Sequence, residues 1–342
     1  MTAPDTGSIA LGPQSRSKDA PASATALYPL NVAIAEYDRT RPLIDGRVKA
    51  EGLAITTHTP EMRGDFCTRP VYEAFDASEM SFSWYLEARD RNAPCLALPF
   101  FPMRMAVWAY VFVRADSPIT QPSDLIGKRI GAQGYRYTVN LWLRGIFEEY
   151  YGLRPQDTTW VTAETENNGY VVPQGIAIEK RPGSDPVENL KTGVVDAIYC
   201  TGIPAAFAKG ETWIRRLFPD TAQEMRAFVA RTGIMPITHA FVMNKPLSER
   251  EPWIAESLTR ALMQSQHVAD AIYQDDAKLM SLPESVFILE QQRALYGNHP
   301  YAHGLAPNRK IVETFVRYAH EQGYISRPIP VDELFVPGTR GL

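Results

Sequence analysis

Cysteine is scarce in this 342-residue sequence: Cys67, Cys95 and Cys200 are scattered, odd in number and without CxxC spacing. That excludes a disulfide framework and the common structural zinc motifs, and the thiols read as reduced and mostly buried, as in a cytosolic protein. Long apolar runs are missing as well. No segment approaches the roughly 18 apolar residues of a membrane span. The first 27 residues, rich in Ala, Ser, Pro and Thr, hold only Ile9, Ala10 and Leu11, where a secretory signal needs a basic start and about 7–15 apolar residues. This tail is expected to be disordered and the protein cytoplasmic. A balance of 35 Lys and Arg against 39 Asp and Glu gives no electrostatic footprint for nucleic acid or an anionic membrane. GxSxG, Walker, GxGxxG and HExxH patterns are absent, which removes the commonest hydrolase, nucleotide-binding and metalloprotease readings.

What is present is an ordinary globular composition, long enough to bury a sizeable core in two domains. The most informative stretch is RIGAQGYRYTVNLWLRGIFEEYY, Arg129 to Tyr151. A short apolar strand runs into Gly131 and Gly134, and a helix is expected to begin near Tyr137 or Thr138. The first N–H groups of a helix lack intrahelical partners, and its dipole places roughly half a positive charge there. Strand, glycine turn and helix start thus form an anion cradle, with Tyr135, Arg136, Tyr137 and Thr138 adding donors. The same pattern describes a plain strand-to-helix turn.

Apolar runs predict strands at Leu30–Glu36, Leu53–His58, Ala77–Ser83, Leu96–Phe101 and Ala106–Arg114, and helices at Arg69–Phe75 and Trp84–Arg89. Further on, strands are expected at Thr159–Ala163, Gly175–Lys180 and Asp196–Cys200, and helices at Pro122–Gly127, Val187–Lys191, Trp213–Phe218 and Thr221–Thr232. Thr201 and Gly202 open a second strand-to-helix junction, and such junctions at the carboxyl ends of parallel strands are where open α/β sheets bind ligands. Gly233–Asn244 is a strand carrying His239, either a core histidine or, if this strand returns the chain to its first lobe, a residue of the cleft floor. Helices follow at Glu251–Tyr273, Glu284–Tyr296 and Asn308–Gln322. The last of these is amphipathic through Ile311, Phe315, Tyr318 and Ala319. Pro300 and the flanking glycines make Gly297–Gly304 a loop, so His299 and His303, four apart, lack the helix that would turn them into a metal pair. Alternating strands and helices predict an α/β fold. Residues 28–115 with 240–342 form one lobe and 116–239 the other, with a ligand cleft between them.

Several stretches, spread in order from Tyr28 onward, resemble the 4,5-dihydroxyphthalate decarboxylase family. They are AEYDRTRPLIDGRV followed by EGL, FDASEMSFSWYL, LPFFPMR, YRYTVNLWLRGIFEEYYGL, GIMPITHAFVMN and PNRKIVETFVRYAHEQGYISRPIPVDELFVP. The resemblance implies a two-lobed fold like that of type II periplasmic binding proteins. One departure stands out. The family follows its proline–arginine turn with a basic pair, as in FPSR-x-F-R-H, whereas this chain keeps Phe101, Pro102 and Arg104 but has Val107 and Trp108 where the basic residues would fall. A substrate with fewer carboxylates or a more apolar body is expected from that change. The loop Glu164–Gly175 also looks longer than the family norm, which would reshape the entrance.

The implied activity is decarboxylation of a hydroxylated aromatic acid. Direct loss of CO2 would leave an unstable aryl anion. Protonating the ring carbon that bears the carboxylate gives a dienone that expels CO2 and regains aromaticity, so acid–base groups suffice and no metal or organic cofactor is required in principle. On this resemblance His239 transfers the proton and Arg104 clamps a carboxylate bidentately, against the plain alternatives of a core histidine and a surface ion pair. Arg69 is a second anion clamp or a surface arginine. Ser81 and Ser83 bind substrate or merely cap a helix. Tyr135 is a third catalytic candidate, binding a carboxylate or phenol from the second lobe, where Arg136, Thr138, Thr201 and Gly202 bind substrate, and His303 reaches the cleft through its loop. Glu79 and Asp196, in apolar strand settings, default to structural hydrogen bonds. The expected partner is a small aromatic acid, with a homodimer through apolar C-terminal helix faces. The reading from another class is a non-catalytic binding protein for such a ligand.

Overall fold

The computed structural model describes residues 26–59, 71–164, 170–275, 280–299 and 301–342. The expected N-terminal tail up to residue 25, Cys67 and Arg69 lie outside the described residues. The chain is α/β, built on two sheets. The first takes β1 (Tyr28–Ala33), β2 (Leu53–His58), β3 (Ala77–Ser81), β4 (Cys95–Arg104) and β11 (Ile237–Asn244), in the order β2-β1-β3-β11-β4. The second takes β5 (Val111–Arg114), β6 (Arg129–Ala132), β7 (Thr159–Thr162), β8 (Ala177–Lys180), β9 (Ala197–Tyr199) and β10 (Ile214–Arg216), in the order β10-β5-β9-β6-β7-β8.

In the first sheet β1 pairs in parallel with β2 and β3, and only β11 runs against its neighbours. In the second, β9, β6, β7 and β8 are parallel and β5 is antiparallel to both neighbours. Near-continuous apolar strands such as β4, buried from Cys95 to Pro102, are what a sheet covered on both faces requires. Strand membership moves the expected crossing points: Val111–Arg114 pairs in the second sheet and Ile237–His239 in the first. Two expected elements change type. The run from Ala106 begins with a 3-10 turn, Val107–Tyr110, before β5, and Trp213–Phe218 contains the strand β10 rather than a helix. Ile214 completes the buried cluster of Phe112, Ile198 and Val195, and that packing outweighs helical periodicity.

Three helices tie the sheets together. Helix Phe82–Asp90 follows β3 without a break, helix Thr138–Tyr151 follows β6, and helix Arg309–Glu321 lies against both. Phe315 stacks on Phe82 and on Trp142, with ring centroids 4.9 Å apart in each case. A Cβ added to Gly145 would lie 2.3 Å from the Tyr318 ring, so glycine is what lets these helices approach so closely. Among the described residues no helix is long and apolar enough to cross a membrane. Cys95 and Cys200 are free thiols.

Candidate functional site

The carboxyl ends of the parallel strands converge. From the first sheet come Tyr37 and Arg39 after β1, Ser81 at the end of β3, and Met103, Arg104 and Met105 at the end of β4. From the second come Tyr137, Thr138 and Val139 after β6 and Thr201, Gly202 and Ile203 after β9. Antiparallel β11 adds its opposite end, Thr238 and His239, and Tyr301 closes the ring from the loop that precedes helix Arg309–Glu321. Together these residues border a cavity of about 520 Å³, within the size range of small-molecule sites.

His239 stands opposite Ser81 on β3 and Met103 on β4, and the register against β4 shifts on either side of it. Such an irregularity re-aims a side chain. Its Nδ1 lies 2.5 Å from Glu79 Oε1. Glu79 is two residues before Ser81 on the same face of β3, a diagonal neighbour within reach across the strands. It is wholly buried, accepts the Tyr37 hydroxyl at 2.7 Å on the same oxygen, and accepts the Ala35 N–H at 3.2 Å on the other. Burial pushes the Glu79 carboxyl up, but the hydrogen bond and charge of His239, with help from Tyr37 and Ala35, outweigh it and hold the group below its ordinary value. An ionised Glu79 favours the imidazole form with a proton on Nδ1. Glu79, for which a structural hydrogen bond is the default from sequence, is therefore the orienting partner of His239.

Arg104 is a half-buried cation with neutral partners among the described residues. Its Nη2 donates to the Ala302 carbonyl at 2.8 Å and to Asn308 Oδ1 at 2.6 Å, and its backbone N–H donates to the Tyr301 hydroxyl at 2.7 Å. Its buried Nε has no hydrogen-bond partner among the described residues. Burial first, with Arg39 nearby, pulls the guanidinium down to about 10, partly offset by Tyr301, so it stays charged at neutral pH. Arg39 adds a second cation. Its Nε donates to the Pro102 carbonyl at 2.6 Å, and its guanidinium carbon lies 4.1 Å from the Tyr37 ring centroid and 4.5 Å from that of Tyr301. Asp38, half-exposed, is its ion-pair partner at 3.2 Å. A carboxylate entering the cavity would meet two guanidiniums, one of them with no carboxylate partner among the described residues.

Thr138 joins the two sheets. Its Oγ1 lies 2.7 Å from Ser81 Oγ and 2.9 Å from Ser83 Oγ, and accepts the Ser83 N–H at 3.0 Å. The helix begins at Thr138 as expected, but its first hydroxyl is engaged in this latch. Of the residues singled out from sequence, His239, Arg104, Ser81, Thr138, Thr201 and Gly202 border the cavity. Others are placed elsewhere. Ser83 is fully buried and donates to the Arg136 carbonyl at 2.9 Å. Arg136 turns inward, its Nη1 donating to both Glu87 carboxylate oxygens at 2.9 and 3.0 Å with the guanidinium 4.2 Å over Trp84. Tyr135 packs edge-on to Trp160 with the Arg144 guanidinium 3.8 Å over its ring.

His303 also faces the core. Its Nδ1 accepts the Phe101 N–H at 3.1 Å, Nε2 lies 3.2 Å from Gln266 Oε1, and the ring stacks 4.1 Å from Phe100. With both nitrogens engaged it is neither a cavity residue nor half of a metal pair. Asp196 accepts the Arg129 N–H at 2.9 Å, a structural role. Val107 and Trp108 are fully buried and do not border the cavity; Trp108 packs on Phe228 at 4.8 Å. The change expected at these two positions therefore falls in the core, and among the described residues the cations that border the cavity are Arg39 and Arg104.

Tyr37, Arg39 and Tyr301 carry no role in the sequence reading. The first two follow the first parallel strand, so the same strand-end rule that picked out Thr201 and Gly202 would have found them. Tyr301 has no local signal, since only the folded loop brings it to Arg104.

No family model matches the chain. It is 31% identical over 319 residues to a 4,5-dihydroxyphthalate decarboxylase of Comamonas testosteroni, covering 91% of this chain and 97% of that protein. It is 30% identical over 199 residues to a protein of the same name from Pseudomonas putida, covering 56% of this chain and 77% of the relative. Its fold is similar to that of the periplasmic aliphatic sulphonate binding protein SsuA from Escherichia coli, with a TM-score of 0.55, 14% identity, and coverage of 92% of this chain and 99% of that one. A periplasmic sulfonate-binding protein SsuA from Methylobacillus flagellatus KT gives a TM-score of 0.54 at 14% identity, with 92% and 93% covered. Two lobes with a periplasmic-binding-protein-like arrangement are thus its fold.

Proposed function

This chain belongs to the 4,5-dihydroxyphthalate decarboxylase family, and from that premise we propose that it decarboxylates a hydroxylated aromatic carboxylic acid in the cavity between its two sheets. The observation that carries the reading is the buried Glu79–His239 pair at 2.5 Å on the wall of a cavity that also holds Arg104. The ring hydroxyl supplies the electrons, and the carbon bearing the carboxylate receives a proton from His239 Nε2. The resulting dienone breaks its bond to the carboxylate, CO2 departs, and the electron pair restores the aromatic ring. Glu79 keeps the imidazole in the donating orientation, a task in which a misplaced ring nitrogen is costly. Arg104 and Arg39 bind a carboxylate and pull the acid out of water into a site where charge interactions are strong.

Incubation of the protein with a panel of hydroxybenzoates and hydroxyphthalates, following CO2 release with and without chelator, tests this reading. Turnover is expected for at least one acid, with His239→Ala reducing kcat by at least about 10²-fold, the usual share of an acid–base group. Arg104→Ala is expected to raise KM strongly. Full activity in the His239→Ala variant would remove the imidazole from the chemistry, and tight binding without CO2 release by the wild type would leave a ligand-capture protein.

A further inference from the structure

We propose that Tyr37 is a second proton-transfer residue, receiving the phenolic proton of the substrate while His239 supplies the proton to the ring, with Glu79 joining the two. This rests on the decarboxylase reading above. Tyr37 Oη lies 2.7 Å and His239 Nδ1 2.5 Å from one atom, Glu79 Oε1. Tyr37 and His239 both border the cavity, and Glu79 is sealed behind them. Tyr37 comes from the loop after β1 and His239 from β11, so two distant parts of the chain address a single carboxylate oxygen.

The chemistry has two proton positions. In an acid whose hydroxyl is para to the departing carboxylate, the oxygen that loses a proton and the carbon that gains one stand at opposite corners of the ring. Proton transfer requires contact at about 2.6–3.2 Å, so one imidazole cannot serve both corners at once. Two groups linked through a shared carboxylate can.

The substrate's phenolic proton passes to Tyr37 Oη as Tyr37's own proton passes to Glu79 Oε1. The imidazolium of His239 gives its Nε2 proton to the ring carbon. The carboxylate–imidazolium pair thereby becomes a neutral acid and a neutral imidazole, so no net charge is created in a buried place where isolated charge is costly. The carbon–carboxylate bond then breaks, CO2 leaves and its electron pair restores the ring as a phenolate. That phenolate takes a proton back from Tyr37 as Glu79 returns one to Tyr37, and solvent reprotonates His239. The sum is one acid anion and one proton giving one arene and CO2.

The test is Tyr37→Phe assayed on hydroxylated aromatic acids whose ring substituents span weakly to strongly acidic phenols. With the weakly acidic phenols kcat is expected to fall at least about 10²-fold with KM little changed. The defect should shrink toward none once the phenol ionises below the assay pH, because such a substrate arrives without the proton that Tyr37 removes. A defect of constant size across the series would reduce Tyr37 to a structural role and overturn the proposal. Unchanged kcat in the variant, with CO2 released by the wild type, would overturn it alone. No release by the wild type from any acid would overturn the decarboxylase reading and this proposal with it.

Discussion

Glu79 Oε1 lies 2.5 Å from His239 Nδ1 although the two residues are 160 positions apart in the chain. β11 returns to pair with β3, setting Phe241 opposite Glu79 and His239 opposite Ser81. The antiparallel insertion of one late strand into an otherwise parallel sheet is what creates the pair.

Glu79→Gln keeps the side chain's size and a hydrogen bond to Tyr37 but removes the negative charge. An amide accepts through oxygen and donates through nitrogen, so the preference for a proton on His239 Nδ1 is lost. We expect kcat for CO2 release to fall by about 10²-fold or more, while the affinity for a non-reacting aromatic acid, read by calorimetry, changes far less. Equal kcat in variant and wild type would show that the carboxylate does not govern the imidazole.

Thr138→Val removes the hydroxyl shared by Ser81 and Ser83 and substitutes a methyl group of similar size. The Ser83 N–H, in a fully buried residue, is left without its acceptor at 3.0 Å. An unsatisfied buried donor costs about 1–3 kcal/mol, and that loss should appear as a lower urea midpoint with an unchanged slope. Combining it with Ser81→Ala should cost less than the sum of the two, since both remove the same 2.7 Å contact. Additive losses would show that the latch is not a unit.

Most of the strands and the long C-terminal helices are legible because their apolar periodicity is sustained. Helix Thr138–Tyr151 and β2, Leu53–His58, are read from sequence to the residue or nearly so. Trp213–Phe218 misleads because a three-residue edge strand carries too short a pattern to tell from a helical turn. Part of the cavity lining is legible, since His239, Arg104 and Thr138 do border it. The site is illegible where the direction of a side chain decides. Tyr135 and Arg136 sit on the same turn as Tyr137 and Thr138, yet they point to Trp160 and to Glu87. Nothing in the stretch YRYT separates the residues that border the cavity from those that serve the core. That separation comes from Glu87 and Trp84 on a helix 50 residues earlier, which offer Arg136 a buried partner and a ring.

Gly145→Ala places a methyl group 2.3 Å from the ring of Tyr318, at the root of that side chain rather than its free end. Tyr318 is itself buried and holds Glu149 through its hydroxyl at 2.7 Å, so it cannot swing clear. The better helix propensity of alanine, about 1 kcal/mol over glycine, opposes overpacking of about 1–3 kcal/mol. We expect net destabilisation measured by denaturant melting, and a less than additive loss in a Gly145→Ala, Tyr318→Ala pair, which removes the clashing ring root. A Gly145→Ala variant more stable than the wild type would mean that the helices part without loss.

His303 is held neutral: burial first, then the Arg104 and Arg39 cations and His267, keep it well below its ordinary value of 6.5. Above that value both the folded and the unfolded chain carry an unprotonated imidazole, and the stability due to this residue is fully present. Below it the unfolded chain binds a proton that the folded chain refuses, so stability is lost as pH falls toward the depressed folded value. The limiting slope for one such group is about 1.4 kcal/mol per pH unit. We expect His303→Gln to lower stability at pH 7, through the lost acceptor for the Phe101 N–H at 3.1 Å, but to flatten the decline between pH 6.5 and 5 by up to that slope. Denaturant melts at a series of pH values check this, and parallel curves for variant and wild type would mean that His303 takes up its proton as readily in the fold as in the open chain.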